Sequence, residues 1–173
     1  MNIKFKKPVL GFAAYSGTGK TTLLVKLLPL LKEKGLRVAM IKHAHHDFDI
    51  DQPGKDSYEL RKAGAGQVLI ASDYRRALIT ETPQGKEPGL EELIVELNLD
   101  DIDMVLVEGF RHLPFPKIEL HRPSTGKDLI HPDDANVIAL ASDENIDSRG
   151  LPLLDLNRPQ MIADFVLNWC SSR

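Results

Sequence analysis

Cysteine, net charge and long apolar runs are all scarce in this sequence, and each scarcity excludes a class of protein. Cys170 is the only cysteine among 173 residues, which excludes an internal disulfide and a cysteine-rich zinc site and fits a reducing compartment. The formal net charge of −3 gives no global attraction to nucleic acid or to an anionic membrane. No apolar run approaches the roughly 20 residues of a membrane-spanning helix. Any anion that the protein binds must therefore be bound by local geometry.

The sequence also lacks internal repeats, low-complexity tracts and linkers, so we expect one compact domain over residues 1–173. Strand-like runs alternate with helix-like runs, which predicts an α/β fold with a mostly parallel central sheet flanked by helices. The stretch 67–82 has a second interpretation, an antiparallel pair inserted at an edge of the sheet. We expect strands at 8–15, 38–41, 67–71, 77–82, 104–107, 117–120, 137–141 and 153–156, and helices at 21–34, 56–64, 90–97 and 161–169.

A glycine-rich loop, "AYSGTGKT" (14–21), stands between the first predicted strand and the first predicted helix. It matches the end of the phosphate-loop pattern G-x-x-x-x-G-K-[ST], with Ala14 in place of the first glycine. Alanine is tolerated there if the backbone needs no positive φ. Backbone amides in such loops surround phosphate oxygens, and the following helix directs its positive dipole end at the same anion. The pattern predicts a P-loop NTPase whose nucleotide-binding residues are Ser16, Gly17, Thr18, Gly19, Lys20, Thr21 and Thr22.

A nucleotide in such a loop is normally accompanied by Mg²⁺, and two residues are candidates for holding it. The Thr21 hydroxyl can coordinate the ion, while Lys20 supplies a mobile charge for the β- and γ-phosphates. Glu108 follows the apolar run 104–107, at the carboxyl end of a predicted strand, which is the edge where ligands of α/β sheets gather. We therefore expect Thr21 and Glu108 at the metal. The alternative for Glu108 is a solvated side chain at a strand end.

The loop "KHAHHDFDID" (42–51) concentrates three histidines and three aspartates after the second predicted strand. His43, His45 and His46 are candidate transition-metal ligands, and Asp47 and Asp49 are candidates for Mg²⁺ or its waters. No thiol or H-x₃-H spacing supports a dedicated metal site. We therefore favour nucleotide- or substrate-linked roles for His43 and Asp49 and leave the role of the histidine cluster open. An exposed polar loop is the alternative.

An aspartate after a later strand bears on the choice of base. Asp143 follows the apolar run 137–141, and its carboxylate could accept from the paired N1–H and N2–H₂ donors of guanine, which adenine lacks. It resembles the aspartate of the guanine motif N-K-x-D, although the asparagine and lysine are absent. A loop carboxylate or a helix cap is an equal alternative. Spacing alone therefore does not choose GTP over ATP.

Taken in order, "FAAYSGTGKTTLL", "IKHAHHDFDID", "GKDSYELRKAGA", "TET" and "LVEGFRH" resemble the molybdopterin-guanine dinucleotide biosynthesis adaptor (MobB) family. The resemblance runs from about residue 8 to the final helix. It implies a cytoplasmic, homodimeric protein that binds GTP and Mg²⁺ and is at most a weak GTPase. It also implies a partner, the guanylyltransferase MobA, which joins GTP and molybdopterin in molybdenum-cofactor maturation.

The resemblance adds weaker site candidates around the nucleotide and metal, namely Asp49, Thr80, Glu81 and Glu108. Molybdopterin is a second candidate ligand, with Lys42, Arg61, Arg111 and Lys117 as plausible anion contacts. The subunit interface is left open between strands in 67–82 and the strand 117–120, by the logic that exposed strand edges pair.

Two other functions fit the same residues. In a small-molecule kinase, the segment 122–134 would serve as a lid over the phosphate acceptor, and Arg111, Lys117 and Arg122 would steer charge. In an NTP-dependent metallochaperone, the histidine-rich loop would carry the metal. No strong catalytic base or arginine finger is evident near the loop, and this fits the slow hydrolysis that the adaptor hypothesis expects.

Overall fold

The computed structural model describes residues 5–44, 48–82 and 87–173, and it divides into two compact units. One unit comprises Met1–His43 and Leu90–Arg173, and the other comprises Ala44–Gly89. The single domain expected over 1–173 stays a prediction. Within the described ranges, no helix is long and apolar enough to cross a membrane.

The first unit is built on a six-stranded sheet of order β2-β5-β1-β6-β7-β8 in which every neighbouring pair is parallel. This confirms the predicted α/β fold with a parallel central sheet. The strands of the chain are β1 Val9–Ala13, β2 Val38–Lys42, β3 Gln67–Ala71, β4 Arg76–Thr80, β5 Met104–Glu108, β6 Lys117–His121, β7 Val137–Ser142 and β8 Leu153–Asp155. The helices are α1 Lys20–Glu33, α2 Asp56–Lys62, α3 Leu90–Val95 and α4 Pro159–Ser171, with 3-10 turns at Leu99–Asp101 and Pro123–Thr125.

Strand β1 lies in the middle of the sheet because its sequence, VLGFA, is apolar on both faces and all five residues are buried. On one face, Leu10 and Phe12 pack with the leucines of α1 and with Ile162 and Val166 of α4. On the other face, Val9 joins a separate cluster that includes α3. The fixed position of β1 fixes the start of α1, and with it the phosphate loop between them.

The opposite end of the sheet is tied by an ion pair. Arg37, just before β2, donates to both carboxylate oxygens of Asp103, just before β5, at 3.1 and 2.8 Å. The hydrogen bonds from Arg37 lower the pKa of Asp103 to about 2. Asp103 therefore belongs to the amino ends of the strands, away from the carboxyl edge where ligands gather.

The second unit contains α2 and an antiparallel hairpin of β3 and β4, in which Leu69 faces Leu78. The antiparallel pairing expected for this stretch is confirmed. Its predicted place at an edge of the central sheet is wrong, because the two strands form a sheet of their own. Side chains on both strands are exposed, so these residues lack the burial that draws a strand into a larger sheet.

We predict that Gly11→Ala destabilises the protein by about 1–3 kcal/mol, the usual cost of overpacking a core. A Cβ at Gly11 would lie 2.7 Å from Cε2 of Phe115 and 3.1 Å from Cγ of Lys117. The measurement is the free energy of unfolding in urea. The control is Gly66→Ala, where a Cβ meets no atom within 4 Å. Equal stability of the two variants would contradict the close packing of β1 on Phe115.

Candidate nucleotide-binding site

The loop between β1 and α1 has the backbone that anion binding requires. Gly17 and Gly19 take left-handed φ values of 86° and 92°, a conformation that side chains disfavour. Ala14 does not, since Phe110 and Arg149 are the non-glycine residues with positive φ in the described ranges. Alanine therefore replaces the first glycine of the pattern without strain, as the sequence predicted.

Thr18 braces this loop from within. It is 2% exposed, and its amide and its Oγ1 both donate to the carbonyl oxygen of Tyr15, at 3.4 and 2.9 Å. The Thr18 side chain thus stabilises the turn between Tyr15 and Thr18. Among the predicted phosphate ligands, Thr18 contributes mainly by holding the shape of the loop.

The start of α1 offers free donors to an anion. Its N-cap is Gly19, and no side chain within the described ranges caps it, so the first-turn amides have no side-chain acceptor. Thr21 and Thr22 are exposed in that first turn, next to the partly buried Lys20. Uncapped amides, a positive dipole end and one ammonium group fit a phosphate chain. Thr21 fits the first-turn Mg²⁺ ligand expected from the sequence.

Glu108 stands between two ammonium groups at the carboxyl end of β5. Its Oε1 lies 3.6 Å from Nζ of Lys20, and its Oε2 lies 3.9 Å from Nζ of Lys42. The register explains the meeting, because Glu108 is paired with Phe12 of β1 on one side and Lys42 of β2 on the other. The structure therefore brings Glu108 to the phosphate loop, where a carboxylate could hold Mg²⁺ or its waters.

The residues around Glu108 are held by close packing. Gly109 has a φ of 106°, and a Cβ there would lie 2.4 Å from Cβ of His43. The amide of His43 donates to the Glu108 carbonyl at 2.8 Å, and its ring stacks on Phe110 with centroids 4.6 Å apart. These contacts give His43 a packing role beside the site. Its expected link to nucleotide or substrate stays a prediction.

Arg122, which the kinase hypothesis expected only to steer charge, contacts the phosphate loop itself, and sequence reasoning missed that contact. It follows β6, and its Nε donates to the carbonyl oxygen of Thr18 at 2.9 Å. Its Nη1 donates to Oδ2 of Asp143, which follows β7. Arg122 therefore binds the phosphate loop through the Thr18 carbonyl, and Asp143 orients Arg122. No local signal shows that Arg122 meets Thr18 and Asp143, because only the order of β1, β6 and β7 brings the three segments together.

This pairing bears on the predicted base-reading role of Asp143. Bidentate recognition of guanine needs both carboxylate oxygens, but Oδ2 is engaged by Arg122. The other oxygen, Oδ1, is buried and has no hydrogen-bond partner within the described ranges. The geometry favours Asp143 as a residue that positions Arg122.

The second unit holds the other three candidates, and two of them share one partner. Nη2 of Arg61 donates to Asp49 and Nη1 donates to Glu81 at 2.7 Å. The hydrogen bond from Arg61 lowers the pKa of the Asp49 carboxyl. Thr80, at the end of β4, accepts from Gln67 at 3.3 Å. Their predicted roles at the nucleotide stay predictions.

The metal-binding hypothesis for the histidine-rich loop falls mainly outside the described residues. His45, His46 and Asp47 are not among them. Over 5–44, 48–82 and 87–173, no group of three or more histidine, cysteine, aspartate or glutamate side chains is placed to hold a metal ion.

Comparison with known proteins identifies the family. The family model for molybdopterin guanine dinucleotide synthesis protein B, MobB, matches residues 9–143. The chain belongs to the MobB family. It is 51% identical over 167 residues to the molybdopterin-guanine dinucleotide biosynthesis adapter protein of Escherichia coli K12, with 94% of this chain and 93% of that protein covered. It is 46% identical to the adapter protein of Haemophilus influenzae, with 94% and 89% covered. The expected resemblance is confirmed.

Solved structures agree with this assignment to the MobB family. The crystal structure of Bacillus subtilis MobB matches with a TM-score of 0.74 and 26% identity, over 93% of this chain and 96% of that one. Another MobB crystal structure matches with a TM-score of 0.72 and 27% identity, over 93% and 99%. Both the fold and the family of the chain are therefore shown.

We predict that Arg122→Met and Asp143→Asn each weaken nucleotide binding by about tenfold, because the Thr18 carbonyl loses an oriented, charged donor. Calorimetric titration with GTP and with ATP gives the affinities. If Asp143 positions Arg122, both nucleotides lose affinity alike, and the double variant loses no more than either single one.

The control is Arg75→Met, which removes an exposed arginine from the hairpin of the second unit. Loss of GTP affinity with unchanged ATP affinity in Asp143→Asn would instead establish base reading by Asp143.

Proposed function

We propose that this MobB-family chain is a GTP-binding adaptor that assists a MobA-like guanylyltransferase in attaching GMP to molybdopterin. Membership in a family of molybdopterin-guanine dinucleotide biosynthesis adapters supports the pathway. The phosphate loop supports nucleotide binding. Cytoplasmic location is part of the proposal and rests on the family, and the single cysteine fits a reducing compartment.

One observation carries the nucleotide-binding part of the proposal. Two left-handed glycines lead into an uncapped helix start, and Lys20 at that start lies 3.6 Å from the carboxylate of Glu108. A triphosphate would give Lys20 a second anionic partner. Thr21 and Glu108 would hold Mg²⁺, which neutralises charge on the phosphates. The preference for guanine rests on the family.

The same geometry favours slow hydrolysis, as expected of an adaptor. Glu108, the carboxylate nearest the loop lysine, has its two oxygens 3.6 and 3.9 Å from the ammonium groups of Lys20 and Lys42, so both oxygens already have cationic partners. Arg122 is engaged by Thr18 and Asp143 and so is not free to reach a transferring phosphate. Since such groups supply much of the rate of phosphoryl transfer, we expect weak GTPase activity at most.

We predict that Lys20→Ala lowers GTP affinity at least tenfold while the fold survives, because the phosphates lose their mobile positive charge. Calorimetry against GTP, ATP and GDP, with and without Mg²⁺, measures affinity, base preference and metal dependence. Circular dichroism of the same samples reports the fold.

Lys26→Ala is the matched control, because Lys26 is an exposed lysine on the same helix. Undiminished affinity in Lys20→Ala would reject the assignment. Rapid phosphate transfer to an added acceptor would favour a kinase over the adaptor.

The proposal also includes a homodimer. The hairpin of the second unit is the candidate interface between its two subunits. Leu69 and Leu78, which face each other, are 63% and 55% exposed. Exposed apolar strands that have free edges are a common basis of association. The alternative interface at 117–120 is wrong, because β6 is buried and is paired on both sides by β1 and β7.

We predict that Leu69→Asp together with Leu78→Asp converts a dimer to a monomer, since two carboxylates would have to be buried in the interface. Sedimentation equilibrium over a concentration series measures the mass. Val95→Asp, at a residue 75% exposed on α3 in the first unit, is the control and should remain dimeric. A wild-type monomer at all concentrations, or a dimeric double variant, would exclude this interface.

A further inference from the structure

A cavity in the first unit is not explained by the phosphate loop. It has a volume of about 460 Å³ and lies between the segment after β5 and the segment before β7. Tyr15 also lines it and directly precedes Ser16 of the loop, so the cavity adjoins the nucleotide site. The polar residues that line it are Tyr15, Arg111, His112, Asp133, Asp134 and Asn136.

One wall carries groups that bind anions. Arg111 and His112 are both exposed at the cavity. The Arg111 guanidinium lies over the ring of Tyr15, 5.7 Å from its centroid. This contact orients the guanidinium and leaves its N–H donors available to a ligand. A guanidinium presents paired N–H donors that match a phosphate. This wall is suited to a phosphate monoester.

The other wall carries hydrogen-bond acceptors. The Asn136 side chain donates through Nδ2 to Oδ1 of Asp134 at 2.7 Å, so its carbonyl oxygen is the acceptor it can offer. Asp133, on the same wall, contributes an exposed carboxylate. Together they suit a ligand edge that presents several N–H donors.

Buried charges fix both walls. The Lys117 ammonium, on a residue 1% exposed, donates to the Leu113 carbonyl at 2.6 Å and to Asp134 at 2.9 Å, which ties the two segments together. Burial opposes ionisation of Asp134, but hydrogen bonds from Lys117 and Asn136 outweigh it and lower its pKa. Buried ion pairs of this kind add little net stability to the fold. We therefore infer that the pair of Lys117 and Asp134 serves to hold the cavity rigid.

A second buried acid fixes the backbone of the acceptor wall. Glu119 is 1% exposed and accepts from the amides of Ile130 and His131 at 2.7 and 2.9 Å, and it contacts Nδ1 of His131. The segment that carries Asp133, Asp134 and Asn136 is therefore anchored to β6. A cavity formed in advance loses less entropy on binding a ligand.

We propose that this cavity binds a phosphorylated heterocycle with a 2-amino-4-oxopyrimidine edge, with Arg111 and His112 on the phosphate and Asp133 and Asn136 on the N–H edge. Pterins and guanine share that edge. We assign the cavity to a pterin phosphate, because the phosphate loop is the site for the nucleotide and the volume suits a two-ring ligand. The inference rests on the proposed function, in which a pterin and a guanine nucleotide are joined.

The probe is 6-hydroxymethylpterin phosphate, titrated into the full chain without nucleotide and followed by pterin fluorescence. We expect saturable binding that Arg111→Met weakens about tenfold or more, through the lost charged hydrogen bonds. Asp133→Asn should weaken the pterin more than the corresponding lumazine phosphate, which has no 2-amino group. GMP and inorganic phosphate are the comparison ligands.

The control variant is Arg76→Met, at an exposed arginine of the hairpin, and circular dichroism verifies each fold. GTP affinity, measured separately, should be unchanged in Arg111→Met, whereas Lys20→Ala should lower GTP affinity and leave the pterin titration unchanged. Failure of GTP binding alone would therefore overturn the proposed function and not the cavity. No saturable pterin binding, tighter binding of GMP than of the pterin, or equal affinities in Arg111→Met and Arg76→Met would overturn the cavity assignment.

Discussion

The position of β1 between β5 and β6 is the constraint on which the candidate site depends, because it brings the carboxyl ends of three strands to one point. The phosphate loop leaves β1, Glu108 ends β5, and Arg122 follows β6. Hydrophobic burial of β1 on both faces maintains that order. The polar groups of the site are therefore positioned by the burial of β1, an apolar interaction in which they take no part.

Three charged groups restrain the loop in different ways. Lys20 is drawn toward Glu108, Arg122 binds the Thr18 carbonyl from outside, and Asp143 orients Arg122. Phosphate loops act through backbone amides, so the shape of the loop determines its function. In the proposed function, side chains that fix this shape would therefore affect nucleotide binding even where they do not touch the nucleotide. The buried pair of Lys117 and Asp134 fixes the shape of the neighbouring cavity in the same way.

Much of the architecture follows from local sequence. Every strand and helix expected from periodicity is present, with bounds within a few residues, since an apolar face must be buried whatever lies opposite. The positions of the glycine loop and of Glu108 could also be predicted from the sequence, because each directly follows a predicted strand. The hairpin was misplaced at a sheet edge, because its apolar residues gave no sign that they would stay exposed.

The sequence by itself determined the secondary structure, the phosphate loop with Lys20 and Thr21, and the resemblance to the MobB family, since each is written in contiguous residues. Only the tertiary structure decided that Asp143 meets Arg122, that Asp49 and Glu81 share Arg61, and that Arg111 and Asn136 face one cavity. The physical reason is that these partners are brought together by strand order and loop packing, which depend on burial across the whole sheet. Short-range spacing carries no record of such contacts.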